Sequence, residues 1–149
     1  MEEDLQLMNQ LEQLIGHISS DLSAIALIDQ NNRIKWRYIF GNMNERYRHM
    51  VTKPGFGIAG QVLRFGRTVI IDQLHLIKDH TRTQFPLMLS EQLLAAIAVP
   101  LNNDQRTFGV LLIGDRQDRS YSIDEIRHVE NVRDRIIAIM PKEYIHISK

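Results

Sequence analysis

The sequence predicts an α+β fold in which helices pack on a central antiparallel sheet. Two pairs of apolar strand segments, each joined by a short polar turn, lie within residues 22–40 and 94–114. Helices with an apolar stripe begin and end the chain. Consecutive hairpins pair their strands antiparallel, and the apolar faces of sheet and helices must cover each other. We expect the N- and C-terminal helices to lie on one face of the sheet.

The first helix and the first hairpin follow from the spacing of apolar residues. Residues 3–18 carry such residues at intervals of three and four, which indicates one buried helical stripe. Residues 22–29 are apolar on both faces and indicate a central strand, and the Asp and Asn residues at 29–32 favour a turn. Residues 33–40 then alternate, so one face is predicted to hold Ile34, Trp36, Tyr38 and Phe40.

Shorter elements are predicted in the middle of the chain. Residues 43–50 are polar and indicate a short helix, and a second helix is expected over residues 58–65. Residues 68–71 form a short strand in this prediction, and the polar stretch 72–84 forms a surface loop. Pro86 is expected to begin another short helix, because proline suits the first helical position.

The second half of the chain repeats the pattern of hairpin and helix. Residues 94–101 and 107–114 are apolar strands joined by a polar turn. Ser122 and Glu125 form a capping box, which predicts the start of the last helix. With no linker or repeat between these elements, residues 1–149 are predicted to form a single domain.

Composition excludes several classes of protein. The chain has 18 basic and 18 acidic residues, and this balance argues against a nucleic-acid-binding face. It has no cysteine, which removes a thiolate nucleophile and most structural zinc sites. The acidic N-terminus lacks the order of a signal peptide, and no apolar run is long enough to span a membrane. We therefore expect a cytoplasmic protein.

The glycine-rich stretch Lys53–Leu63 is the most informative segment for function. Gly55 and Gly57 precede a helix start, where backbone N–H groups have no intrahelical acceptor and can bind an anion. The same glycines are equally well explained by a tight turn and by close packing of a helix on the sheet. From the residues alone, both explanations stand.

No catalytic or metal constellation is evident. Ser122 is explained as a helix cap, and no Ser/His/Asp arrangement or phosphate-binding loop is present. His75 and His80 lie near two aspartates, but a solvated polar loop explains them better than a metal site. The sequence therefore favours a binding protein, without catalytic residues and without a metal, over an enzyme.

Three motifs resemble the GAF domain family of small-molecule sensors. They are Gly55–Val62 followed by Val69–Asp72, the strand Ala96–Leu101, and the strand Phe108–Gly114. Together they extend over most of the chain. The resemblance implies a GAF-type antiparallel sheet with helices packed on it.

Within that family, the chain is most similar to the stand-alone nitrate receptors of the NreA type. The similarity is carried by Lys35–Tyr38, by Gly41–Tyr47 and by the one-domain size. It implies a protein of signal transduction and nitrogen regulation, which binds nitrate and modulates a sensor histidine kinase of a two-component system. No cofactor is implied.

The resemblance also implies a binding site. Nitrate receptors of this type hold the anion in a small apolar pocket, mainly through backbone N–H groups. The matching residues here are Trp36, Ile58, Ala59 and Met88, where the family has leucine at the position of Ile58 and isoleucine at that of Met88. Around them we expect two helix starts to donate N–H groups and aromatic side chains to wall the pocket, with contributions from Tyr38, Phe56, Gly57, Pro86 and Leu87.

Two alternatives remain beside the nitrate sensor, and a third, an enzyme, is rejected. Some free-standing GAF proteins reduce free methionine sulfoxide with cysteine thiolates, and the absence of cysteine argues against that chemistry here. One remaining alternative is a GAF domain that binds another small metabolite or anion. The other is a ligand-free scaffold that forms a homodimer through its terminal helices.

Overall fold

The computed structural model of the protein describes residues 2–72, 85–104 and 106–145. The predicted loop at 72–84, with His75 and His80, therefore lies almost entirely outside the described residues. In chain order the elements are α1 (Glu2–Ile18), β1 (Leu22–Ile28), β2 (Ile34–Phe40), a 3-10 helix (Arg46–His49), β3 (Val51–Thr52), α2 (Gly57–Phe65), β4 (Val69–Ile71), α3 (Pro86–Ser90), β5 (Ala95–Asn102), β6 (Thr107–Asp115), α4 (Ile123–Ile139) and α5 (Lys142–Ile145).

The described strands form one six-stranded sheet in the order β3-β2-β1-β6-β5-β4. Every neighbouring pair is antiparallel, which confirms the predicted sheet. The two hairpins, β1–β2 and β5–β6, lie side by side because β1 pairs with β6. The strands β1, β5 and β6 are central and are buried over nearly their whole length.

Each face of the sheet carries its own hydrophobic cluster. The helix-side cluster combines the buried stripes of α1 and α4 with one face of the central strands. The cavity-side cluster combines α2 and α3 with the opposite face, where several of its residues also line a cavity. The long helices α1 and α4 thus lie on one face, as predicted for the N- and C-terminal helices. Helix α4 begins at the predicted capping box, where Ser122 Oγ accepts a hydrogen bond from the N–H of Glu125.

The alternation predicted for β2 is wrong beyond Trp36. The strand register shifts where Ile25 and Ala26 of β1 pair with Tyr38 and Trp36, which leaves Arg37 as an extra residue on β2. An extra residue in one strand reverses the faces of all residues after it. Trp36 therefore belongs to the cavity-side cluster, whereas Tyr38 belongs to the helix-side cluster.

Two further features concern the described residues. The two-residue strand β3 pairs with the start of β2 and was not predicted. No described helix has the length and apolar character required to cross a membrane.

Candidate functional site

A partly open cavity of about 210 Å³ lies beside the start of β2, on the face of the sheet that α2 and α3 cover. Four segments meet there: the start of β2, the end of the 3-10 helix with β3, the first turn of α2, and the first turn of α3. The lining residues are Ile34, Trp36, His49, Met50, Val51, Thr52, Gly57, Ile58, Ala59, Pro86 and Leu87.

The first turn of α2 lines the cavity, and the glycine turn at residues 55–57 sets the direction in which this helix begins. Gly55 and Gly57 have φ angles of +95° and +69°, which glycine adopts without steric cost. The N–H groups of Gly55 and Phe56 are taken by the carbonyls of Gly60 and Lys53. The next three N–H groups, on Gly57, Ile58 and Ala59, have no acceptor within the helix and belong to cavity-lining residues.

Six predicted site residues are brought together around the cavity. Trp36 lies on β2 opposite Ala26 and is 8% exposed, so its indole forms part of the wall. The other five belong to the first turns of the two helices and are Gly57, Ile58, Ala59, Pro86 and Leu87.

Met88 and Phe56 do not line the cavity. Met88 lies in the middle of the short helix α3 and is fully buried within the cavity-side cluster. Phe56 is the residue before α2 and is 57% exposed, with the ammonium group of Lys53 5.0 Å from its ring centre. Leu89 of α3 is also exposed.

Tyr38 is excluded from the site by the shift in β2. Its hydroxyl donates to Asp4 Oδ1 of α1 at 2.6 Å on the opposite face of the sheet. Burial, followed by this hydrogen bond, raises the pKa of the Tyr38 phenol above its ordinary value. Tyr38 therefore joins the first helix to the sheet.

The segment His49–Thr52 lines the cavity and was missed as part of the site. Its two-residue strand is too short to show a periodic pattern, and its side chains are partly or fully exposed. The one available signal was the position of this segment directly before the glycine turn. Thr52 Oγ1 donates to the carbonyl of Phe56 at 3.0 Å and so ties β3 to the start of α2.

The segment that supplies most of the cavity lining is rich in basic residues. None of its described lining residues is acidic, and His49 is the titratable one. Residues 46–71 contain no Asp or Glu but carry Arg46, Arg48, Lys53, Arg64 and Arg67. Of these, Arg48 pairs with Glu45, and the other four have no ion pair within the described part of the chain.

Comparison with known proteins gives one family and a consistent set of folds. The model of the GAF domain family matches residues 5–135. A mutated NreA protein from Staphylococcus aureus, characterised with its mutation in the nitrate binding site, is 32% identical with a TM-score of 0.72, over 82% of this chain and 93% of that chain. A hypothetical protein from S. aureus is 31% identical with a TM-score of 0.68, over 76% and 95%.

A more distant structure shares the fold alone. The free methionine-R-sulfoxide reductase of Neisseria meningitidis is 18% identical with a TM-score of 0.69, over 92% of this chain and 78% of that chain. No curated protein matches the sequence.

Proposed function

The chain belongs to the GAF domain family, and we propose that it is a cytosolic sensor which binds nitrate in the cavity beside Trp36. In this proposal the occupied and empty forms differ in their effect on a sensor histidine kinase of a two-component system for nitrate respiration. The protein has no catalytic role in it. The observation that carries the proposal is the small, mainly apolar cavity lined by Gly57, Ile58 and Ala59, whose N–H groups have no acceptor within α2.

The size of the cavity supports a small ligand. Pockets for drug-sized ligands and cofactors have volumes of about 300–1,000 Å³, and the cavity here has about 210 Å³. A purine would need more space and several polar groups. Nitrate is small and planar, and its single negative charge is spread over three oxygens. It is weakly hydrated, so its transfer from water into an apolar cavity costs less free energy than that of a carboxylate.

Electrostatics supports an anion. The N-terminal end of α2 favours negative charge by about 0.3–1 kcal/mol, and by up to ~2 kcal/mol when partly buried. Hydrogen bonds to a charged group contribute about 1.5–3 kcal/mol each. Three such bonds, less the desolvation of the anion, are compatible with micromolar affinity, about −8 kcal/mol. The second predicted helix start, at Pro86, belongs to a helix of five residues and contributes a smaller dipole.

The decisive experiment is a thermal-shift series with nitrate, nitrite, chloride and sulfate at equal ionic strength. At about one hundred times the dissociation constant, nitrate should stabilise the wild-type protein by about 2.7 kcal/mol. Trp36→Phe keeps an aromatic wall but removes the indole N–H, and we expect it to reduce the shift. The absence of a shift with any of the four anions would contradict the proposal.

Tyr38→Phe is the matched control. The residue lies two positions from Trp36 on the same strand, but on the opposite face of the sheet. The substitution removes one hydroxyl and its bond to Asp4, so it can lower the melting temperature of the empty protein. The nitrate-dependent shift, measured against that lower value, should remain.

The effect on a kinase is tested separately from binding. If the kinase prefers one form of the sensor, nitrate must alter sensor–kinase affinity by the same factor as the kinase alters nitrate affinity. Kinase autophosphorylation measured with wild-type sensor, with and without nitrate, gives the sign. If nitrate binds but does not alter autophosphorylation, the proposed nitrate binding stands and the proposed kinase partner is contradicted.

The ligand-free homodimer is supported less well. The apolar stripes of α1 and α4 are buried against the sheet and pack against each other. Among their described residues, the exposed large apolar side chains are Leu5 and Ile123. Light scattering of the purified protein, with and without nitrate, measures whether these helices nevertheless support a dimer.

A further inference from the structure

A buried ion pair lies directly after α3, the helix whose first turn lines the cavity. Glu91 is fully buried, and its Oε1 accepts a hydrogen bond from Arg116 Nη2 and another from the N–H of Met43, both at 2.7 Å. Arg116 Nε also donates to the Glu91 carbonyl at 2.9 Å, and Nη2 to the Gly41 carbonyl at 3.0 Å. We refer to Gly41, Met43, Glu91 and Arg116 as the junction.

The junction connects two walls of the cavity. Glu91 directly follows α3, whose first turn forms one wall with Pro86 and Leu87. Gly41 and Met43 precede the 3-10 helix, which packs against α3 and leads into the opposite wall at residues 49–52. A further bond, from Asn44 Nδ2 to the Ser90 carbonyl at 2.9 Å, joins the same two segments.

The junction depends on the charge of both partners. The second carboxylate oxygen of Glu91, Oε2, is buried and has no hydrogen-bond partner in the described part of the chain. The positive charge that offsets this buried carboxylate is that of Arg116, which directly follows β6 and has a 23% exposed side chain, while the Met43 N–H adds one hydrogen bond. Removal of one partner of a buried pair leaves the other charge unpaired and is strongly destabilising. We therefore expect the segment that carries the unpaired charge to move.

We propose that Glu91 and Arg116 are positioning residues of the cavity. They hold the first turn of α3 at a fixed distance from the segment at residues 49–52, and so keep the cavity at the size of a small anion. The ligand named here rests on the proposed function, whereas the positioning of the walls does not.

The test uses Trp36, the single tryptophan of the chain, which lines the cavity and reports on its walls without any ligand. Glu91→Gln retains the size of the side chain and removes its charge, and Arg116→Met removes the partner. In both variants we expect greater quenching of Trp36 by acrylamide and a red shift of its emission. Arg116→Lys keeps the charge and should restore part of the wild-type behaviour. It also provides the readout if a charge-removing variant fails to fold.

Arg119→Met is the matched control. Arg119 is 23% exposed and also forms ion pairs, at 2.7 Å with Glu125 and at 3.3 Å with the buried Asp115, but these lie between β6 and the start of α4 rather than at the end of α3. Far-UV circular dichroism establishes that each variant is folded. Unchanged Trp36 quenching and emission in folded Glu91→Gln and Arg116→Met, or the same change in Arg119→Met, would overturn the inference.

A second arm of the experiment measures nitrate affinity by calorimetry. We expect Glu91→Gln and Arg116→Met to bind nitrate about tenfold more weakly, a loss of about 1.4 kcal/mol. Arg119→Met should bind as the wild type does. If the wild type binds no nitrate while Trp36 responds as expected, the proposed function fails and the positioning role stands. If nitrate binds equally to all folded variants and Trp36 is unaffected, the positioning role fails and the proposed function stands.

Discussion

At the scale of single residues, Gly60 shows how closely the start of α2 packs against the turn before it. A Cβ at this position would lie 2.5 Å from the carbonyl oxygen of Lys53, a backbone atom that cannot move away without opening the turn. We predict that Gly60→Ala destabilises the protein by roughly 1–3 kcal/mol, the usual cost of overpacking. Urea unfolding measures this directly.

The control for Gly60 is a glycine with space around it. Gly16 lies in α1, and a Cβ there would have no heavy atom within 4 Å. Because alanine loses less backbone entropy than glycine in a helix, Gly16→Ala should stabilise the protein by about 0.5–1 kcal/mol. Loss of stability in both variants would mean that the cost at Gly60 is not steric.

Single residues also show where prediction from sequence ends. The spacing of β2 placed Trp36 and Tyr38 on one face, and nothing in the sequence marks Arg37 as the extra residue that separates them. Met88 was assigned to the site by resemblance, but the direction of a side chain on a one-turn helix depends on tertiary packing. Trp36 and the first turn of α2 line the cavity, because alternation and glycine placement both act locally. Their role in binding a ligand stays a prediction.

At the scale of elements, the two terminal helices meet at a pair of stacked histidines. The rings of His17 on α1 and His128 on α4 have centroids 4.2 Å apart and planes 18° from parallel. Burial, followed by repulsion from His17 and Arg135, lowers the pKa of His128 from its ordinary value. The folded state therefore binds a proton on His128 less readily than the unfolded chain does.

This lowered pKa predicts a loss of stability in acid. Where the unfolded state binds more protons, stability rises with pH, so the penalty is absent well above about pH 6.5 and grows as the pH falls below it. Chemical unfolding at a series of pH values should show this slope in the wild type and a smaller slope in His128→Gln. A slope in His128→Gln as steep as that of the wild type would contradict this prediction.

Elements differed in how well their sequence specified them. The helices α1 and α4 and the central strands have long apolar patterns, and each was predicted to within a few residues. The strand β3 has two residues and no pattern of its own, since it forms only because β2 offers an edge to pair with. The cavity wall that it provides was missed for the same reason.

At the scale of the whole molecule, the sheet separates the helices α1 and α4 from the cavity. The terminal helices cover one face, and the cavity opens on the other, so residues of the central strands contact both clusters. Charge is divided as well, although the sum is zero. Residues 46–71, which supply most of the cavity lining, carry five Lys and Arg residues and no acidic residue.

This division of charge predicts that nitrate binding depends on ionic strength. Cations around a cleft raise the local concentration of an anion. Salt weakens this attraction, and at 0.1 M ionic strength it largely screens exposed charges that are more than about 10 Å apart. Calorimetry in a salt whose anion is too large for the cavity should show weaker binding as ionic strength rises. We expect this dependence to be reduced in the triple variant Lys53→Gln, Arg64→Gln and Arg67→Gln.

A second triple variant separates local from net charge. It removes three positive charges from α4, on the other face of the sheet, with Arg127→Gln, Arg133→Gln and Arg135→Gln. Both variants change the net charge of the protein by the same amount, so an effect of net charge would weaken nitrate binding equally in the two. If the field is local to the cavity, the α4 variant keeps the wild-type affinity and salt dependence. An equal loss in both would show that the basic segment beside the cavity does not attract the anion.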